Sequence, residues 1–328
     1  MLLVGAPIGG IRQDNPFVYD GGVPTTAANW PIDTERVELN MTTEPVAHHR
    51  RAVNGIKMHY AEAGTGPPVV LLHGFPETWY AWRHQIDALG QRYRLIMPDL
   101  RGYGATEKAA TGYDKRTMAN DIRALMASLG IEKAAIVGHD RGARVGLRLA
   151  KDHPDVVARF AALDNIPTRV LFGNMNAASA QAAWFFLFQG VRDLPEVLIH
   201  GREEIWLRYL LTGWSYNPET FTDADIATYV HAYAQPGGLR GPFEDYRAWR
   251  EDVAQDQVDK DVKLRCPTLA LWGSEFEAAK MVDMAEIWRD LAEDLTTAPI
   301  AFAGHLPQEE QPSAVNAALI KFLEPWKG

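Results

Sequence analysis

One cysteine, Cys266, stands in a chain of 328 residues. A lone thiol excludes an intramolecular disulfide framework and offers a metal no second sulfur, so Cys266 at the head of "CPTLALWG" reads as a small buried side chain. Long hydrophobic runs are missing too: none reaches the roughly 18–20 residues that a bilayer span requires. The opening "MLLVGAPIGGIRQDN" lacks the basic start and apolar core of a secretory signal. Positive charge is in deficit, with 33 Lys and Arg against 42 Asp and Glu and a net charge of −9. Nucleic acid and acidic membrane surfaces call for basic patches. These absences predict a cytoplasmic protein that acts on a small-molecule substrate, with neither nucleic acid nor membrane as partner.

What is present is ordinary globular composition, 47% hydrophobic, enough for one large domain with an insertion or for two domains. Residues 1–45 are rich in Gly, Pro, Thr and Asn without sustained periodicity and read as an N-terminal extension. From "AVNGIKMHYAEAGTGPPVVLLHG" onward, two strand-like segments flank a Gly/Pro turn, and the unbroken apolar run of the second predicts a strand buried on both faces. Helix-like and strand-like stretches then alternate through "TWYAWRHQIDALGQ", "YRLIMPDL", "TMANDIRALMASLG", "AAIVGHD", "GARVGLRLAKDHP" and "VARFAALD". Such alternation predicts an α/β fold with a mostly parallel, doubly wound sheet, whose ligands bind beyond the carboxyl ends of the strands. The rhythm stops across 165–261, an aromatic-rich, helix-like stretch that reads as a cap domain inserted into a core of 46–164 and 262–328.

The residues that carry chemistry sit at the predicted strand ends. "VGHDRGARVG" has the outline of a nucleophile elbow, G-x-S-x-G, with Asp140 in the serine's place between Gly138 and Gly142. "LLHGFPET" follows a buried strand and can offer the backbone N–H of Phe75 to an anion. Asp164 in "FAALDNIPT" ends the next strand, where a buried carboxylate orients an imidazole, and His305 in "IAFAGHLPQEEQP" follows the last strand, where a base belongs. Singly, each has a plainer reading: a helix cap for Asp140, a strand-ending turn for "HGFP", capping or surface residues for the other two. The chain order Asp140, Asp164, His305, matching nucleophile, acid and base, favours the joint assignment.

An aspartate in the elbow constrains the reaction. Serine attacking a saturated carbon would end as an ether that water cannot cleave at a useful rate. A carboxylate ends as an ester, which a histidine-activated water hydrolyses, restoring Asp140 and releasing an alcohol. The electrophile is therefore an sp³ carbon with a leaving group, a carbon–halogen bond or an epoxide. The hydrolytic step builds an oxyanion on the Asp140 carboxyl, for which the backbone N–H groups of Phe75 and Arg141 are the expected donors.

Together "LLHGFPETWYAW", "MPDLRGYGATEK", "VGHDRGARVG" and the Gly-His after the last strand resemble the α/β-hydrolase superfamily over about residues 50–325. More narrowly, they resemble its aspartate-nucleophile branch of haloalkane and haloacetate dehalogenases and epoxide hydrolases. The resemblance implies the α/β-hydrolase fold with a helical cap, no cofactor, no metal, and a homodimer. It also implies that Arg141 and Arg144, three apart and so on one face of a helix, hold a substrate carboxylate. Without it they read as structural ion pairs behind the elbow. In the cap it places Trp184 of "AAWFFLFQG" at a halide-binding position and Tyr246 of "PFEDYRAW" at that of a tyrosine donor. An indole N–H and a phenol O–H can each donate to a halide or an epoxide oxygen. Trp206, Trp214, Tyr229 and Tyr233 read as core packing.

Where fluoroacetate-cleaving members resemble "HWFF", this chain has Ala183-Trp184-Phe185-Phe186. The lost histidine donor counts against defluorination more than against release of chloride or bromide. The expectation is a haloacid (haloacetate-type) dehalogenase giving a hydroxy acid and halide. The alternative is an epoxide hydrolase giving a vicinal diol, with Trp184 and Tyr246 on the epoxide oxygen. The complete Asp/Asp/His set argues against a non-catalytic binding relative, and the missing serine against an esterase.

Overall fold

The structure, a computed structural model, describes residues 45–173 and 175–328. The extension assigned to residues 1–45 lies, Pro45 apart, outside the described residues. The first two strands, β1 (Ala47–Val53) and β2 (Ile56–Ala63), form an antiparallel hairpin with Val53 opposite Ile56. Asn54 and Gly55 turn it with φ of 43° and 81°, as a two-residue loop of this kind requires. The sequence expectation starts at β2. β1 reads "AHHRRAV" and is exposed everywhere but at its last residue, so no apolar alternation marks it and the Asn-Gly turn is its local signal.

Six more strands follow: β3 (Pro68–Leu72), β4 (Arg94–Pro98), β5 (Ala134–His139), β6 (Val157–Leu163), β7 (Thr268–Gly273) and β8 (Leu295–Ile300). All eight join one sheet in the order β1-β2-β4-β3-β5-β6-β7-β8. β2 meets β4 antiparallel, and every pairing from β4 to β8 is parallel. The order reverses at β3, which lies between β4 and β5, and a crevice opens beyond strand ends at such a switch point.

Successive strand residues face opposite ways. Val69, Leu71 and Val137 pack with Ile86 and Leu89 of the helix Arg83–Gly90 and with Leu319 of the helix Pro312–Leu323. Val70, Leu72 and Ile136 pack with Ile122 and Leu125 of the helix Lys115–Ser128 and with Val145 and Leu149 of the helix Asp140–Asp152. Both faces are covered, which is why these strands read as unbroken apolar runs. Between β6 and β7 the described residues of 165–261 contain helices and no strand. This helical segment is tied to the core by buried polar contacts. Tyr80 Oη donates to Asp225 at 2.9 Å, Arg83 lies 3.1 Å from the same carboxylate, and Tyr229 Oη donates to Glu309 at 2.7 Å. Among the described residues no helix is long and apolar enough to cross a membrane.

Candidate active site

β5 ends at His139 and the helix Asp140–Asp152 begins at once, so Asp140 itself must turn the chain. Its φ is 42°, a left-handed conformation that costs an L-residue roughly 1–2 kcal/mol. Gly142 permits the turn to sit against β3: a Cβ there would stand 2.2 Å from the Leu72 carbonyl oxygen. On the other side of the carboxylate, Phe75 N–H donates to Asp140 Oδ2 at 3.2 Å, and Asn165 Nδ2 donates to the Asp140 carbonyl at 3.0 Å. The Arg141 amide belongs to the first helical turn, whose N–H groups have no intrahelical acceptor. Burial pushes the Asp140 carboxyl up, but His305, Arg144, Arg141 and His139 outweigh it and hold the pKa below the ordinary value. These charges favour the ionised carboxylate.

Asp164 follows β6 with φ 43°, accepts a 3.3 Å bond from Gly273 N–H at Oδ1, and bonds His305 Nδ1 through Oδ2. Burial pushes its carboxyl up against the pull of His305 and His139. The His305 ring stacks on Phe276 with centroids 4.5 Å apart and meets Trp214 edge-on at 5.4 Å. Its main chain is fixed as well. His305 N–H donates to the Trp214 carbonyl at 2.8 Å, and the His305 carbonyl lies 2.7 Å from His139 Nε2. Asp140, Asp164 and His305, expected from the sequence, thus meet where the sheet ends.

The two arginines differ. Arg141 is fully buried and one edge of its guanidinium is taken: Nε donates to Asp245 Oδ2 at 3.0 Å, and Nη2 donates to the Asp245 carbonyl at 2.8 Å and to Asp245 Oδ1, while Nη1 has no hydrogen-bond partner. Asp245 also binds Lys115 Nζ and accepts from Tyr103 Oη at 2.8 Å. Arg144, 7% exposed, donates to Thr168 Oγ1 at 3.1 Å, while its Nε has no partner. Burial and the neighbouring Arg141 lower the Arg144 pKa, against the opposing pull of Asp140.

In the helical segment, Tyr246 lies beside Asp140. Its ring meets Phe75 edge-on at 5.1 Å and carries the Arg141 guanidinium 4.5 Å from its centroid. Burial, then the charge of Asp140, keeps its phenol protonated far above the usual range. Trp184 is elsewhere. The residue is 38% exposed, and its ring packs against Trp206 at 5.6 Å, Phe188 at 6.1 Å and Tyr209 at 6.2 Å. Phe186 takes the inward place, buried and 4.6 Å from Tyr246, while the half-buried Phe185 lies 4.6 Å from Trp214 and 6.3 Å from Tyr246.

Sequence reasoning missed several neighbours of the site. Trp214 and Tyr233, read as core packing, border it: Trp214 braces His305, and Tyr233 meets Phe75 at 5.9 Å with a buried hydroxyl that has no hydrogen-bond partner. Glu77, in "HGFPET", accepts from Gly74 N–H at 2.7 Å and from Gln308 Nε2 at 2.7 Å and touches His139 Nδ1 at 2.7 Å. Its place two residues after "HGF" and that of His139 just before the elbow were the available signals. Among the described residues no group of His, Cys, Asp and Glu could hold a metal.

The chain matches a family model of the alpha/beta hydrolase fold across residues 67–312. It is 37% identical to a soluble epoxide hydrolase of Corynebacterium sp. (strain C12), over 87% of this chain and 99% of that one. It is 32% identical to a fluoroacetate dehalogenase of Burkholderia sp, over 83% and 91%. Among solved structures, the epoxide hydrolase CorEH superposes with a TM-score of 0.81 at 37% identity, covering 86% of this chain and 99% of its own. An alpha/beta hydrolase of Nostoc sp PCC 7120 reaches 0.82 at 34% identity, covering 85% and 98%. The chain belongs to the α/β-hydrolase family, beside its epoxide hydrolases and its fluoroacetate dehalogenase, and is a hydrolase.

Proposed function

We propose that the enzyme opens an epoxide through a covalent ester on Asp140. A carboxylate oxygen attacks one ring carbon; the carbon–oxygen bond breaks, and its electron pair leaves with the oxygen, which takes the Tyr246 hydroxyl proton. His305, oriented by Asp164, then removes a proton from a water whose oxygen adds to the Asp140 carboxyl carbon. The N–H groups of Phe75 and Arg141 receive the oxyanion. Collapse expels the alkoxide, which His305 protonates, and the proton left on the Asp140 carboxyl returns to the Tyr246 oxygen. One epoxide and one water become one vicinal diol.

The observation that carries this choice is the make-up of the wall around Asp140. Two buried phenols, Tyr246 and Tyr233, stand there, both kept protonated by burial, whereas Nε and Nη2 of Arg141 are already taken by Asp245 and leave only Nη1 open. An alkoxide leaving group needs a proton; a halide needs none. Trp184, whose N–H would serve a halide, packs on the outer rings instead. Similarity to a soluble epoxide hydrolase along nearly its whole length points the same way.

Haloacid dehalogenation is the second reading, and Arg144 favours it: a buried guanidinium with one neutral partner is suited to a substrate carboxylate. The discriminating assay incubates the enzyme with styrene oxide, an epoxy acid, chloroacetate and fluoroacetate and follows diol and halide. Diol release, slowed on the order of 100-fold by Tyr246→Phe, is expected. Halide without diol overturns the epoxide reading.

A further inference from the structure

The loop that carries His305 is held by a side chain that takes no part in the proposed chemistry. Glu310 ends the short helix Pro307–Glu310, and its carboxylate folds back over the loop. Oε1 accepts Gly304 N–H at 2.9 Å and Leu306 N–H at 3.1 Å, the two amides that flank His305. Between them, His305 N–H donates to the Trp214 carbonyl at 2.8 Å. Three successive amides are thus taken, the outer two by one carboxylate oxygen. The middle one goes to the last residue of the helix Glu203–Trp214, where carbonyls have no donor within the helix.

The second oxygen of Glu310 faces the same helix end, where Tyr216 N–H donates to Oε2 at 2.6 Å. Gly304 admits this approach. A Cβ there would stand 2.1 Å from the Trp214 carbonyl oxygen and 2.9 Å from the Tyr216 nitrogen. Among the described residues the hydrogen-bond partners of the Glu310 carboxylate are all main-chain N–H groups. Burial raises its pKa, and the amides of Gly304, Tyr216 and Leu306 offset that only in part. Helix capping accounts for the Leu306 bond, whereas Gly304 and Tyr216 lie outside the short helix.

We propose that Glu310 is a positioning residue for His305: its two oxygens join the amides on either side of the base to the end of the helix Glu203–Trp214, so that base and helical segment hold one fixed relation. The same helix end supplies Trp214, whose ring meets His305 edge-on at 5.4 Å and Phe185 at 4.6 Å. The aromatic wall of the site and the base therefore share one support. The proposal rests on reading His305 as the base that activates water.

On that reading His305 serves hydrolysis of the ester and not its formation, which separates positioning from a general loss of structure. Single turnovers of styrene oxide are followed by intact-protein mass spectrometry. Glu310→Ala should slow ester hydrolysis on the order of 100-fold with ester formation little changed, so that substrate mass accumulates on Asp140. Glu310→Gln keeps one accepting oxygen and should fall between that variant and wild type. Tyr216→Pro deletes the helix-end donor without touching the loop, and Ser215, with ψ 144°, already has the extended conformation that a following proline requires. It should slow the same step about tenfold, the weight of one hydrogen bond to a charged group. Hydrogen exchange of the substrate-free chain gives a second readout: in Glu310→Gln the segments containing residues 304–306 and Tyr216 should exchange faster together. Wild-type ester hydrolysis in the Glu310 variants overturns the proposal, and so does equal slowing of both steps; should Glu310→Ala fail to fold, Glu310→Gln decides. Wild-type ester hydrolysis by His305→Gln would instead defeat the underlying reading and leave the exchange result standing.

Discussion

Asp245 anchors the ion cluster around Arg141, next in the chain to Asp140, and replacing it with asparagine isolates the value of that arrangement. Its carboxylate, fully buried, takes Arg141 through Nε and Nη2, Lys115 through Nζ, and the hydroxyl of Tyr103. The Asp245→Asn change would keep the volume but remove the negative charge and aim an NH₂ group at donors. Breaking one side of a buried pair costs about 3–5 kcal/mol. Asp252, 3.3 Å from Lys115 Nζ and 3.9 Å from Arg141 Nη2, retains part of the compensation, so about 3 kcal/mol, the lower end, is expected. Equilibrium urea unfolding should show a lower midpoint at unchanged slope.

The pH dependence carries a sign. Arg141 and Lys115 hold the Asp245 carboxyl well below the usual carboxylate range despite its burial. A depressed pKa contributes stability that is present above the unfolded-state value and lost as pH falls toward the folded one. The gap between wild type and variant should stay constant from neutral pH down to about pH 4 and shrink only below it. Asp245→Asn also frees the Arg141 fork, so KM for an epoxy acid should fall relative to styrene oxide. A stability loss under about 1 kcal/mol, the range of exposed pairs, would refute the reasoning. So would a gap that closes between pH 7 and pH 5.

Other expectations test the site directly. His305→Gln should stop at the ester, seen by intact-protein mass spectrometry as one substrate mass added on Asp140; a clean protein after incubation with a turned-over substrate argues against the two-step path. Gly142→Ala places a methyl group 2.2 Å from the Leu72 carbonyl, so turnover should vanish and stability fall by about 1–3 kcal/mol or more, measured by urea unfolding. Trp184→Phe should leave kcat/KM for styrene oxide within roughly a factor of two, since surface changes away from a site cost little; a large loss would return the indole to the reaction.

The parts legible in the sequence share a physical cause. Strands buried on both faces must be apolar throughout, so β3 and β5 announced themselves, and the turn from β5 into its helix admits so little room that Gly138, Asp140 and Gly142 leave a recognisable spacing. Asp164 followed because it comes directly after β6, and His305 because it lies in the loop that follows the last strand, β8. β1 did not, because an exposed edge strand needs no apolar face. The helix around Trp184 shows the other limit. "WFFLF" is apolar at every position, and a step of one residue rotates a side chain by about 100°, so no pattern within it tells which ring turns inward.

From the sequence alone, Asp140, Asp164 and His305 could be picked out as one set, because their constraints are local to the ends of strands and the loops that follow. The charged contacts around them became visible only in the folded chain. Asp245 claims Arg141 across 104 residues, and Glu77, His139 and His305 converge from three separate segments: the turn after β3, the end of β5 and the loop after β8. Hydrogen bonds and buried charges depend on distance in space, which chain spacing does not encode until the sheet has folded.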